Sequence, residues 1–392
     1  MSLPHLLTYT RDVVLRHQIL STFGRSVDDR RLHVDCRLPW NRYFYLTLRF
    51  LSEIDTGISV RATRPHIVGP ATYARFMNKY AKLAFTLPGV RFTAHPPRRR
   101  EEKIGVVDGD AGLGASGGDW GRRIRLRSDI SATRPSGSDW LMAPYPMHPL
   151  RYHAGDDRRL ETLRRASRNV RLMFAGNVDR AAYRSEHMLQ LCARFGYATR
   201  PDLFDALIRA AGRVDYLAAD EHLGAILRGD SSHELLVSTA DKYAVPQRVW
   251  MDFLARADFF VALPGVSMPM CHNAIEAMAV GTIPIVAHTD WFHPPLVHGR
   301  DCLSPNGPEG MRDVLHEATA MSGSRLDQMK QNVIDYYERH LSPSAFVQRL
   351  LAHPSDPLTV YFNFEDTSEL ARTVPSSLAL SEQRSYAGAG AP

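Results

Sequence analysis

The stretch FFVALPGVSMPMCHNAIEAMAVGTIPIVAHTDWFHPP, residues 259–295, decides the fold. Phe259–Leu263 is a short apolar run of the kind found in a buried strand. Pro264-Gly265 breaks it. Asn273–Val280 carries helical apolar spacing, and Gly281 stops it. Ile283–Ala287 reads as the next strand and delivers His288 and Asp290 to its carboxyl end. In open parallel sheets ligands bind beyond the carboxyl ends of the strands, so both loops stand where a ligand would. The helix start offers free amides and a partial positive charge, which suit a phosphate. Glu276, about a turn further in, can accept the two hydroxyls of a ribose. The small residues Gly265 and Ser267 let backbone approach a pyrophosphate.

Outward from this stretch the alternation continues. Val170–Ala175 reads as a strand ending at Gly176-Asn177, and Leu235–Ser238 as another. Helices are predicted over Tyr183–Phe195, Pro201–Ala211, Pro246–Arg256, Pro308–Thr319, Leu326–His340 and Pro343–Leu351. Strands and helices alternating at this spacing predict a doubly wound parallel sheet. The N-terminal half reads as a less regular α/β region. Its predicted strands are Arg31–Cys36, Gly57–Ala62, Ile104–Asp108 and Arg122–Arg127, and its predicted helices Tyr43–Glu53 and Thr72–Phe85. Gly109–Gly118 reads as a loop or lid; no helical pattern follows it, so it is not a dinucleotide fingerprint. Three prolines in residues 141–155 predict a stiff crossover. The expected domains are therefore 1–150 and 151–355. Residues 356–392 are expected to form a crossover segment and disordered tail, with the last helices or the tail crossing back to the first domain.

A chain of 392 residues is long enough for two cores. With 44% apolar and 23% charged residues it is not a disordered protein. No apolar run reaches 18 residues, which excludes a membrane-spanning helix. The start, Met1 to His5, shows no basic stretch before an apolar run, so no secretory signal is expected. Cys36, Cys192, Cys271 and Cys302 are scattered, which predicts neither disulfides nor a zinc site and suits the cytoplasm. Residues 1–150 hold 23 basic and 13 acidic side chains, and the remainder 25 and 29. The basic half implies an anionic partner, either an anionic glycan or peripheral contact with an anionic membrane. Nucleic acid fits poorly, because no aromatic residues interleave with the basic runs.

The stretch from Phe259 to Pro295 resembles the donor-binding signature of GT-B glycosyltransferases of the exostosin-like and group 1 families. The matching residues are Pro264-Gly265, Glu276-Ala277, Gly281-Thr282-Ile283-Pro284-Ile285-Val286, Asp290 and Pro294. Upstream, Leu172–Tyr183 with Arg184 is similar to the exostosin-like strand end and its following arginine. The resemblance covers roughly residues 168–305. It implies two Rossmann-like α/β domains with a cleft between them, an acceptor site in the first and a nucleotide-sugar site in the second.

By the same resemblance Glu276 holds the donor ribose, and Pro264, Gly265, Val266 and Ser267 lie against its phosphates or sugar. Arg180 or Arg184 neutralises the leaving diphosphate. Gly176, Asn177, Asn273, His288 and Asp290 complete the donor-site candidates. Met268 stands where many retaining group 1 enzymes carry a second glutamate, and Asn273 where exostosin-like enzymes carry an arginine. The first departure favours inversion, which needs a general base. The candidates, of which one is expected to act, are Asp35, Asp108 and Asp129, with Asp110 and His33 behind them. Neither cofactor nor metal is expected, since the nucleotide-sugar is itself a substrate. The implied activity is sugar transfer to a hydroxyl of a glycan, glycolipid or protein-linked acceptor, in bacterial surface polysaccharide or glycoconjugate synthesis. A non-catalytic sugar-nucleotide-binding protein and a nucleotide-sugar epimerase are the alternatives on the same fold.

Overall fold

The computed structural model describes residues 27–35, 42–61, 83–95, 97–108, 120–127, 137–184, 186–265 and 268–362. These fall into two compact units. Unit 1 takes the described residues up to 127 together with 137–143 and 343–362; unit 2 takes 144–342.

Unit 1 is built on seven parallel strands: β1 (Leu32–Asp35), β2 (Ile58–Arg61), β3 (Val90–Thr93), β4 (Ile104–Asp108), β5 (Arg122–Arg127), β6 (Trp140–Met142) and β12 (Leu358–Tyr361). Their order is β3-β2-β1-β4-β5-β12-β6. Val34 is in register with Val60 on one side and Val106 on the other, and all three are buried. His33, also buried, directs Nδ1 at the Ser59 hydroxyl (2.8 Å) and stacks on Trp120 with ring centroids 5.6 Å apart. Burial pushes its pKa down to about 4, so the imidazole is neutral.

The returning chain completes this sheet. Helix Pro343–Ala352 packs on helix Arg42–Leu51, with Phe346 and Phe50 rings 5.8 Å apart. The Arg122 guanidinium then holds the carbonyls of Leu351 (2.9 Å) and His353, and Asp356 accepts the Arg123 amide (2.9 Å). β12 follows and fills the place between β5 and β6. Residues 343–355, expected in the second domain, therefore belong to unit 1. The boundary expected after residue 150 falls after 143: β6 pairs into the first sheet, whereas Pro146 gives its carbonyl to His272 and His148 its amide to Glu276 in unit 2. The proline-rich crossover then enters a helix, Pro149–Ala154, started by a proline at its first position and capped by His148.

Unit 2 has five parallel strands: β7 (Val170–Gly176), β8 (Asp215–Tyr216), β9 (His233–Thr239), β10 (Ala257–Val261) and β11 (Ile283–Ile285). Their order is β11-β10-β7-β9-β8. Leu172, Met173, Phe174, Phe259 and Phe260 are all buried, as a sheet covered on both faces requires. Arg168 ties β10 and the turn before β11 together, donating to the carbonyls of Ala257 (2.6 Å) and Val280 (2.7 Å) and to the Thr282 hydroxyl (2.6 Å). Each unit is thus a Rossmann-like, parallel α/β layer. Among the described residues no helix is long and apolar enough to cross a membrane.

Candidate functional site

In unit 2 the chain first leaves β7 toward β8 and β9, and later crosses back over it to β10 and β11. The carboxyl end of β7 is therefore the switch point of the sheet, where parallel α/β sheets bind ligands. A pocket of about 210 Å³ opens there. Ala175 and Gly176 of β7 and Ser238 at the end of β9 form its floor. Its walls come from the loop Ala240–Gln247, from Trp250 and His148, and from the first turns of helix His272–Ala279.

Glu276 carries the charge chemistry of the pocket. It is buried, yet it belongs to the lining. One carboxylate oxygen accepts the His148 amide (2.9 Å) and the other accepts the Trp250 indole N–H (2.6 Å). Each oxygen keeps a second lone pair, so the carboxylate is fixed in place and can still receive two hydroxyls. Burial raises its pKa, opposed by those two donors and by Arg151.

Two imidazoles beside it have their tautomers fixed by backbone. His272 bonds the Pro146 carbonyl through Nδ1 (2.7 Å), so Nδ1 carries the hydrogen and Nε2 is an acceptor. His148 Nδ1 accepts the Leu150 amide (3.3 Å), so its hydrogen is on Nε2. Asn273, also in the lining, spends its amide N–H on the Ala175 carbonyl (3.2 Å), which orients its oxygen as the remaining acceptor. The pocket therefore joins a carboxylate, an imidazole of each polarity and an indole edge, the groups a ribose and a heteroaromatic base need.

Arg200 was not singled out by the sequence. It opens helix Arg200–Ala210, capped by Thr199, and it is buried. Its guanidinium holds the carbonyls of Pro264 (2.6 Å), Leu263 (3.0 Å) and Asn177 (3.2 Å), and it lies 4.7 Å from the Tyr183 ring centroid. The Leu263 carbonyl also accepts the Cys271 thiol (3.5 Å), at the N-cap of helix His272–Ala279. One positive charge thus clamps the ends of β7 and β10 beside the helix start. A Cβ at Gly176 would stand 3.1 Å from the Arg200 Nη1, a tight contact that glycine relieves beside the pocket floor. With 43 arginines in the chain, only its three-dimensional partners distinguish Arg200.

Other expected residues fall differently. Arg180 and Arg184 are not in the pocket lining. Both are solvent-facing and paired, Arg180 with Asp205 (2.7 and 2.9 Å) and Arg184 with Asp202. Helix Arg200–Ala210 supplies both acidic partners and draws these arginines away from the expected donor site. Asn177 is exposed and contributes its carbonyl to Arg200. Pro264 and Gly265 are buried and not in the pocket lining, and a Cβ at Gly265 would meet the Met268 carbonyl at 2.6 Å. Asp290 is exposed in a short 3-10 turn, whereas His288 is buried. Val266, Ser267, Asp110 and Asp129, and the loop Gly109–Gly118, lie outside the described residues.

In unit 1, Asp35 ends β1 and Asp108 ends β4, two adjacent strands at that sheet's own switch point. Asp35 is paired with Arg61 at 2.8 Å. Among the described residues no three His, Cys, Asp or Glu side chains are gathered as a metal site.

No protein-family model and no curated protein matches the chain. Among solved structures it is similar to HepE from Anabaena in complex with UDP, at 12% identity and a TM-score of 0.42, over 82% of this chain and 98% of that one. It is also similar to the N-terminal domain of Candida albicans trehalose-6-phosphate phosphatase, at 9% identity and a TM-score of 0.43, over 85% and 99%. A third is AviGT4, a glycosyltransferase involved in avilamycin A biosynthesis, at 15% identity and a TM-score of 0.35, over 82% and 96%. At these values the functional assignment rests on the site itself.

Proposed function

We propose that the chain is a glycosyltransferase of the GT-B kind, moving a sugar from a nucleotide-sugar to an acceptor hydroxyl. The observation that carries the reading is Glu276. A buried carboxylate is held by His148 and Trp250 in the wall of a pocket at the switch point of a parallel sheet. Burying a carboxylate is costly unless it is hydrogen-bonded, and these two donors leave a lone pair on each oxygen for a ligand. Those remaining lone pairs fit a ribose, and the apolar side chains of Val245 and Trp250 in the lining fit a base.

In the reaction the acceptor oxygen attacks the anomeric carbon, the bond from that carbon to the diphosphate breaks, and the leaving group gains negative charge. Arg200 and the first amides of helix His272–Ala279 supply positive potential on the β7 and β10 side of the pocket. The acceptor binds unit 1. Inversion is favoured, with Asp35 or Asp108 taking the acceptor proton. Asp35 must loosen its pair with Arg61 to do so. The acceptor is a glycan, glycolipid or protein-linked hydroxyl, and the basic residues of unit 1 suit an anionic one.

The test is thermal unfolding with UDP, GDP, CDP, TDP, ADP and CMP on wild type and Glu276→Ala. A ligand at a hundred times its Kd stabilises by about 2.7 kcal/mol. One nucleotide is expected to raise the melting temperature of the wild type and to leave Glu276→Ala unmoved. No shift with any of them, on folded protein, contradicts the reading.

A further inference from the structure

His288 lies just past the carboxyl end of β11, at the same end of the sheet as the pocket and Arg200. It is 4% exposed. Among the described residues neither Nδ1 nor Nε2 has a hydrogen-bond partner; the ring rests against Phe292, with centroids 6.3 Å apart and an interplanar angle of 22°. Burial and the charge of Arg200 push its pKa down to about 3, so the ring is neutral. A neutral imidazole presents one N–H and one lone pair on opposite sides. Leaving both buried and unused is unfavourable, and such a group needs an explanation. Packing does not supply one, because phenylalanine or leucine would stack on Phe292 without that cost.

The chemistry of the two nitrogens narrows the partner. A phosphate oxygen only accepts and would satisfy one of them. A ring bearing several hydroxyls, each both donor and acceptor, satisfies both. We propose that His288 receives hydroxyls of the transferred sugar and so sets which glycosyl group the protein accepts. This rests on the reading of unit 2 as the nucleotide-sugar site. Arg200 and His288 then divide the donor between them: the guanidinium serves the charged diphosphate and the neutral imidazole serves the uncharged sugar.

The test compares, by calorimetric titration, the Kd of each nucleoside diphosphate with that of its sugar conjugate. The probes are UDP and UDP-glucose, GDP and GDP-mannose, and ADP and ADP-glucose. Wild type, His288→Phe and His288→Gln are compared, with His288→Leu in place of phenylalanine if that variant does not fold. The expected result is that the sugar tightens binding to the wild type. His288→Phe should lose about tenfold of that gain while its nucleoside diphosphate Kd stays within about twofold, and His288→Gln should recover part of it. A gain that is absent in the wild type, or unchanged in His288→Phe, overturns the proposal, as does an equal loss for the diphosphates alone. Wild type that binds no nucleoside diphosphate brings down the reading of the pocket instead, and the proposal with it.

Discussion

Glu276 and His33 are both buried titratable groups, and they predict opposite pH dependences. The pKa of Glu276 is raised in the fold. The folded state therefore keeps a proton that the unfolded chain releases above about pH 4.5. Stability from this group is complete below that pH and is lost as pH rises through the folded value. Denaturant unfolding of wild type and Glu276→Gln should thus diverge above pH 4.5, with the wild type losing ground as pH rises. Parallel curves would mean that the carboxylate is not desolvated in solution. The pKa of His33 is depressed instead, to about 4. Between pH 6.5 and 4 the unfolded chain binds the proton and the fold does not, so stability is lost as pH falls. His33→Gln should flatten that acid-side slope by about 1.4 kcal/mol per pH unit. An unchanged slope would place His33 in water.

At the scale of elements the test falls on the strand–loop–helix that joins β10 to helix His272–Ala279. Gly265→Ala would bring a Cβ within 2.6 Å of the Met268 carbonyl and 2.8 Å of the Met270 carbonyl. Backbone cannot swing aside as a side chain can, so the variant should lose about 1–3 kcal/mol in thermal or denaturant unfolding. A neutral effect would show that the turn has room to open. This region was also the most legible in the sequence. Its apolar runs and glycine stops placed the helix within a residue of His272–Ala279 and the strands within two. Other elements left no readable signal. β8 is two residues long, and helix Asp220–Arg228 lies unpredicted between the predicted helix Pro201–Ala211 and the predicted strand Leu235–Ser238. β12 is a four-residue LTVY whose neighbours lie more than two hundred positions away in the chain. Such pairing depends on tertiary fit, which local periodicity does not encode. The site was legible in the same uneven way. Glu276, Gly176 and Asn273, which the sequence singles out, all line the pocket, because they sit on the recognisable stretch and strand end. His148, Trp250 and the loop Ala240–Gln247 reach the pocket from elsewhere, and Arg200 acts through carbonyls that no spacing reveals.

For the whole molecule, two units with separate cores predict separable unfolding. Val360 is fully buried in β12, between β5 and β6. Val360→Asp would place an unpaired charge there and should cost more than about 3 kcal/mol, confined to unit 1. Scanning calorimetry should show the unit 1 transition fall while a nucleoside diphosphate still raises that of unit 2. One merged transition that ignores the nucleotide would contradict the division of labour between the units. The central claim, that unit 2 alone holds the nucleotide, is tested most directly by hydrogen–deuterium exchange of the full chain with and without the nucleoside diphosphate that stabilises it. The account predicts protection concentrated at Ala175–Asn177, Ser238–Gln247 and the first turn of helix His272–Ala279. Protection elsewhere, with these three segments unchanged, would contradict it.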